Sequence, residues 1–227
     1  MRDYLGPALQ HAGLSYVHLM IWDHNRGLIY QRANTILSDP EAARYVWGTA
    51  FHWYVGDEFE NVERVHEAFP DKKLLFSEGC QGPFNAKLID DWSMGEGYGR
   101  SMINDFNHWT CGWTDWNVLL DQNGGPNHVG NYCFAPIIAN TRTGKLHFMS
   151  SYWYIGQFSR YVRPKARRIA CTSSTDDILA TAFQNADGRI ATIVMNPTGK
   201  KHVVDIWVDG MQAPTTMPPH SIETVLW

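Results

Sequence analysis

The run Leu74-Leu75-Phe76-Ser77-Glu78-Gly79-Cys80 sets a carboxylate at the end of an apolar stretch, directly before a glycine. A carboxylate placed there can attack an electrophilic carbon or exchange a proton. Attack requires the ionised form, so its surroundings should supply hydrogen-bond donors rather than bare apolar walls. Three other runs end in the same way: Trp22-Asp23-His24-Asn25, His52-Trp53-Tyr54 and Trp113-Thr114-Asp115-Trp116-Asn117. Together they offer imidazole, phenol, carboxylate and indole groups. Flat amphipathic rings beside hydrogen-bonding groups suit ligands with C–H faces and hydroxyl rims, sugars above all. The chain holds ten Trp, ten Tyr and ten Phe, and many of the Trp and Tyr stand next to Gly, Asn, Asp or His. Composition alone divides evenly between this reading and ordinary packing.

Such groups need a scaffold. Leu14 to Trp22 reads as a strand, as do Trp47 to Tyr54, Lys73 to Ser77 and Cys111 to Trp116. Helical patterns fall between them. Asp39-Pro40-Glu41 is a helix start: Asp39 can cap, Pro40 suits the first helical position, and Glu41 favours the positive end. Phe59, Val62, Val65, His66 and Phe69 recur at helical spacing, and Pro70 ends that helix. Tyr98 to His108 and Phe148 to Tyr161 are further helices. Alternation of this kind means parallel βα units. In a (β/α)₈ barrel the C-terminal strand ends converge on one mouth, where active sites sit. From about Arg167 the pattern changes to β-rich runs, Ile178 to Phe183, Ile190 to Met195 and Val203 to Val208. Turn signals such as Asn185-Ala186-Asp187-Gly188 separate them, which reads as an antiparallel β-sandwich.

Composition removes several function classes. A net charge of −4 argues against nucleic acid, which requires clustered Lys and Arg. The one basic cluster, Arg160 to Arg168, reads as a solvated loop. No apolar stretch is long enough to span a membrane, and no signal-peptide pattern is visible, so the compartment stays open. Cys80, Cys111, Cys133 and Cys171 stand alone without C-x-x-C spacing, which implies neither a zinc site nor a disulfide framework. They are expected free and buried, with Cys80 near the chemistry.

Five segments in register carry a resemblance. They are Ser38-Asp39-Pro40-Glu41-Ala42-Ala43, Phe51-His52-Trp53-Tyr54, Phe76-Ser77-Glu78-Gly79-Cys80, Gly112-Trp113-Thr114-Asp115-Trp116-Asn117 and Gly124-Gly125-Pro126-Asn127. In these the chain resembles glycoside hydrolase family 30, the glucosylceramidase-type group that includes β-glucanases, β-xylosidases and xylanases. The resemblance covers the C-terminal half of the family fold. It implies about four βα units of an incomplete TIM-like barrel over residues 1–165, barrel strands five to eight, then a β-sandwich over 166–227. It implies a retaining hydrolase of β-linked glucosides or xylosides, plausible chains being β-glucan and xylan, with no cofactor and no metal. The rival reading is a carbohydrate-binding or vestigial fragment.

Roles follow from the resemblance. Retaining hydrolysis uses two carboxyls about 5–5.5 Å apart, one a nucleophile and one an acid/base. Glu78 takes the nucleophile's place. The family's acid/base glutamate stands in an Asn-Glu-Pro context after the fourth strand, and this sequence has no Asn-Glu dipeptide. Asp23 is the nearest in-chain surrogate; Glu58 and Glu60 are the alternatives, although Glu60 better fits a surface helix charge. His52 would read as a core histidine on its own; the family match assigns it, with Trp53 and Tyr54, to the substrate site. Trp113 and Trp116 include a sugar-stacking ring, with Asp115 between them orienting ligand or capping the next loop. Asn131 and Trp22 complete the expected substrate contacts. Open strand edges imply a homo-oligomer that closes the barrel.

Overall fold

In the computed structural model, which describes residues 1–227, the chemistry-bearing runs form one four-stranded parallel sheet. Its strands are β1 (Met20–Asn25), β2 (Gly48–His52), β3 (Lys73–Glu78) and β4 (Thr110–Trp113), in that spatial order. The chain divides into two units. The first comprises Met1–Gly79 and Asp105–Trp116, the second Cys80–Asn104 and Asn117–Trp227.

In the first unit, α1 (Leu5–His11) precedes β1, and α2 (Ile29–Leu37), α3 (Pro40–Ala43) and α4 (Phe59–Ala68) fill the connections. Burial follows the sequence spacing. Ile29, Ala33 and Leu37 line one face of α2, and Phe59, Val62 and Val65 one face of α4. All of these except Phe59 pack with Ile21, Phe51, Leu74 and Phe76 from the sheet into one core. Residues three and four apart share a helix face, so these stripes are what the sheet covers. Asp39 caps α3 as expected, its Oδ1 accepting from the Glu41 amide at 2.9 Å. The first strand starts later than its apolar run suggests and extends through Asp23, His24 and Asn25. Pairing with β2, from Met20↔Gly48 to Asn25↔His52 with a shift at Asp23, draws His24 and Asn25 into the ladder.

The second unit has three sheets. β5 (Leu119–Asp121), β6 (Ile137–Ala139) and β7 (Leu146–Phe148) form a small one beside α6 (Ser150–Ser159). From β8 (Arg167–Ile169) every element is a strand: β9 (Leu179–Gln184), β10 (Ile190–Asn196), β11 (His202–Val208), β12 (Met211–Met217) and β13 (Ser221–Leu226). One antiparallel sheet runs β13-β10-β9-β8, and β11 pairs with β12. Ile178, Val194, Ile206 and Met217 form the core of this β-sandwich. The architecture is therefore a partial (β/α)₈ barrel followed by a β-sandwich.

Two further expectations need correction. The helix before β4, α5, spans Ser93–Asn107 and so begins earlier than Tyr98. A Cβ at Gly95 or Gly99 would collide with the Tyr154 ring, so these glycines allow a close approach. None of the four cysteines is in a disulfide, but only Cys133 is buried; Cys111 is exposed. Burial of Cys111 fails because the β3–β4 register jumps from Leu74↔Thr110 to Leu75↔Gly112, which leaves Cys111 out of the ladder.

Candidate active site

Polar groups from three neighbouring strand ends meet in the first unit. His52 Nε2 lies 3.1 Å from Asp23 Oδ1 and 4.0 Å from Glu78 Oε2. The Ser77 hydroxyl donates to Asp23 Oδ1 at 2.7 Å, and the Tyr54 hydroxyl donates to Glu78 Oε1 at 3.1 Å. One oxygen of Glu78 therefore accepts from a phenol while the other faces an imidazole. The Glu78 side chain is 30% exposed and that of His52 12%.

Irregular pairing makes this meeting possible. Trp22 pairs with Ala50 and His24 with Phe51, so Asp23 has no ladder partner. Phe51 pairs with Phe76 and His52 with Glu78, which leaves out Ser77. The two skipped residues are the pair that hydrogen-bond to each other. A bulge re-aims the extra side chain, and bulges gather beside functional sites for that reason. Trp22 and Asp23 also hold left-handed backbone, with φ of 77° and 57°. Non-glycine residues occupy that region sparsely and at a cost.

The Ser77 hydroxyl holds the Asp23 carboxyl below the ordinary aspartate range; partial burial opposes it, and the His52 imidazole adds a lesser lowering. Asp23 is thus arranged as an ionised acceptor, whereas a general acid must hold its proton. Glu58 is half-buried, its carboxylate folded back against Gly56, and Glu60 is exposed in the first turn of α4.

The rings divide into floor and rim. Trp113 lies flat on Phe76, with centroids 4.0 Å apart and planes 1° apart, and Trp53 meets both edge-on at 5.6 Å. Gly79 follows from this packing, because a Cβ there would stand 2.8 Å from Phe76 Cζ and 3.0 Å from Trp53 Cε2. Trp116 is 53% exposed, and its amide donates to the Gly79 carbonyl at 3.0 Å. Asp115 is half-buried between the two tryptophans. Trp22 is half-buried and donates through Nε1 to the Asn25 carbonyl at 2.9 Å.

The structure brings Asp23, His52, Trp53, Tyr54, Glu78, Trp22, Trp113, Asp115 and Trp116 into one unit. Asn131 belongs to the other, in an exposed loop where its amide donates to Asn127 Oδ1 at 3.0 Å. Two site residues were missed. Ser77 gave only its adjacency to Glu78 as a signal. Asn25 accepts the Tyr54 amide at 2.8 Å through Oδ1, and its one signal was its place in the Trp22–Asn25 cluster. No group of three or more His, Cys, Asp or Glu side chains could hold a metal ion. No helix is long and apolar enough to cross a membrane.

The Glycosyl hydrolase family 30 TIM-barrel domain matches residues 1–162, and the Glycosyl hydrolase family 30 beta sandwich domain matches residues 165–225. The lysosomal acid glucosylceramidase of Mus musculus is 32% identical over 98% of this chain and 45% of its own length. SrfJ from Salmonella typhimurium is 34% identical with a TM-score of 0.95, over all of this chain and 51% of that one. An endo-β1,6-glucanase is 28% identical with a TM-score of 0.84, again over all of this chain and 51% of its own. The chain thus spans about half the length of the relatives it matches.

Proposed function

The chain belongs to glycosyl hydrolase family 30, and from that premise we propose that residues 1–165 carry the nucleophile half of a retaining β-glycosidase site, with Glu78 as the attacking carboxylate and residues 166–227 as the accompanying β-domain. The observation that carries the reading is the setting of Glu78 at the end of β3, with Oε1 receiving the Tyr54 hydroxyl and Oε2 facing His52. Oε2 attacks the anomeric carbon, the bond to the leaving oxygen breaks, and that oxygen takes a proton from an acid. Water then hydrolyses the glycosyl ester.

β-Linked glucosyl substrates are favoured over xylosyl ones, because two of the relatives above 25% identity are named a glucosylceramidase and a β1,6-glucanase. The open face of Trp116 supplies the stacking ring, while Trp113 and Trp53 form the floor beneath. Asp23 keeps His52 in place as an ionised partner, so in this scheme the proton comes from another carboxyl. The sheet order leaves one side of β1 and one side of β4 without a sheet partner, which supports an assembly of copies around the site. Size-exclusion chromatography reads this directly, and a stable monomer at working concentration removes the assembly.

The function is tested with a dinitrophenyl β-glucoside, the matching β-xyloside and a β-glucan. The activated glucoside needs little acid assistance and should turn over fastest. Mass spectrometry of the trapped 2-fluoroglucosyl adduct should locate it on the peptide that contains Glu78. An adduct elsewhere refutes the assignment, and binding of glucan without turnover of any glycoside would establish a lectin-like domain instead.

A further inference from the structure

We propose that Asp105 is a positioning residue for the site at the parallel strand ends, acting through Trp113 and Arg26; its catalytic readout rests on the hydrolase reading above, its spectroscopic readout on geometry alone. Asp105, near the end of α5, has a fully buried side chain, and the side chain of Arg26 is only 2% exposed. Both carboxylate oxygens are used. Oδ1 accepts from Arg26 Nη1 at 2.5 Å, and Oδ2 accepts from Trp113 Nε1 at 3.1 Å.

Each branch leads to a residue of the site. Through Trp113 it reaches Phe76, on which that indole lies flat two residues before Glu78. Through Arg26 it reaches the loop after β2: Arg26 Nε donates to the Gly56 carbonyl at 3.4 Å, and the guanidinium lies 4.2 Å from the Phe59 ring centroid. Gly56 stands two residues beyond Tyr54, whose hydroxyl binds Glu78. Arg26 also directly follows Asn25, which holds the Tyr54 amide and the Trp22 indole. One buried carboxylate thus fixes the ring beneath the site and the strand end that carries the phenol.

Stability alone is a poor account of this pair. Taking two charges out of water costs about as much as their attraction returns, and well-packed apolar replacements are often neutral. What apolar replacements lack is direction: an acceptor aimed at one indole N–H, and a planar fork tied to one carbonyl.

The test uses the 227-residue chain and three variants: Asp105→Asn, the double replacement Arg26→Met with Asp105→Leu, and Trp113→Phe. Asp105→Asn leaves the buried guanidinium without its counter-charge, and kcat/KM on the activated glucoside should fall about 100-fold, as for a misplacement near 1 Å. The double replacement removes both charges, so its melting temperature should return close to the parent's while kcat/KM stays down by about 100-fold. In ¹⁵N NMR the Trp113 indole resonance, identified as the peak lost in Trp113→Phe, should move upfield in the double variant. Recovery of kcat/KM to within about threefold of the parent, or an unmoved indole resonance, overturns the proposal. If the parent turns over no glycoside, the hydrolase reading fails while the indole resonance still decides the positioning role. If the double variant does not fold, the same resonance in Asp105→Asn decides it.

Discussion

Replacing Ser77 with alanine removes a hydroxyl that donates to Asp23 at 2.7 Å, the foremost cause of that carboxyl's lowered pKa. A hydrogen bond to a buried charged acceptor is worth about 1.5–3 kcal/mol. The Asp23 side chain, however, is 68% exposed, so solvent screening reduces the figure to about 0.5–1 kcal/mol. The sign follows from linkage. A carboxyl whose pKa is depressed by folding contributes stability above its unfolded pKa of about 3.9, and that contribution is lost as pH falls through the folded value. Ser77→Ala should therefore destabilise the protein by about 0.5–1 kcal/mol at pH 6 and leave it almost unchanged near pH 2.5. Urea unfolding followed by tryptophan fluorescence at both pH values measures the difference. Asp23→Asn should abolish it, so that Ser77→Ala adds no pH-dependent loss in that background. Equal destabilisation at both pH values would mean that the lost energy lies in the weaker 3.3 Å approach of Ser77 to the Phe51 carbonyl, and the reasoning about Asp23 would fall.

Other outcomes can be set beside this one. Glu78→Gln should lower turnover of the activated glucoside by at least about 1,000-fold with an unchanged melting curve, and parent-like rates would remove Glu78 from the reaction. Tyr54→Phe deletes the 3.1 Å bond to Glu78 at a half-exposed position; we expect kcat to fall about 10-fold, read by steady-state kinetics, with stability changed by less than about 1 kcal/mol. In the β-sandwich, Asn196 donates to the Lys200 and Pro218 carbonyls at 2.8 and 2.7 Å and accepts from Thr198 N at 3.0 Å, all from a fully buried position. Asn196→Ala should cost about 2–4 kcal/mol and lower the melting temperature by about 5–12 °C in calorimetry.

Legibility in the sequence followed the range of each interaction. The α4 stripe of Phe59, Val62 and Val65 and the Asp39 cap are local rules, and both appear where spacing placed them. The strand ends were legible as clusters because polar and aromatic side chains interrupt apolar runs. Their registers were not. That Asp23 and Ser77 would be the skipped residues depends on how three strands pair, which no single run encodes. The lowered pKa of Asp23 was unreadable for the same reason, since its foremost cause is a serine 54 positions away. The start of α5 at Ser93 rather than Tyr98 was not legible, since the Tyr154 ring packed against Gly95 is a long-range contact that local spacing does not encode. The short strands β5 to β7 hold three residues each, too few for alternation to register.

The left-handed backbone at Trp22 and Asp23 has a consequence for engineering. Conformations of this kind cost about 1–3 kcal/mol each, a substantial share of the 5–15 kcal/mol that usually holds a domain folded. A library screened only for heat tolerance would accumulate glycine at these two positions, relaxing the chain and discarding the Asp23 carboxylate at the same time. Reinforcement belongs elsewhere, for example at Gly156 in α6, where an added methyl meets no atom within 4 Å and helix preference alone favours alanine.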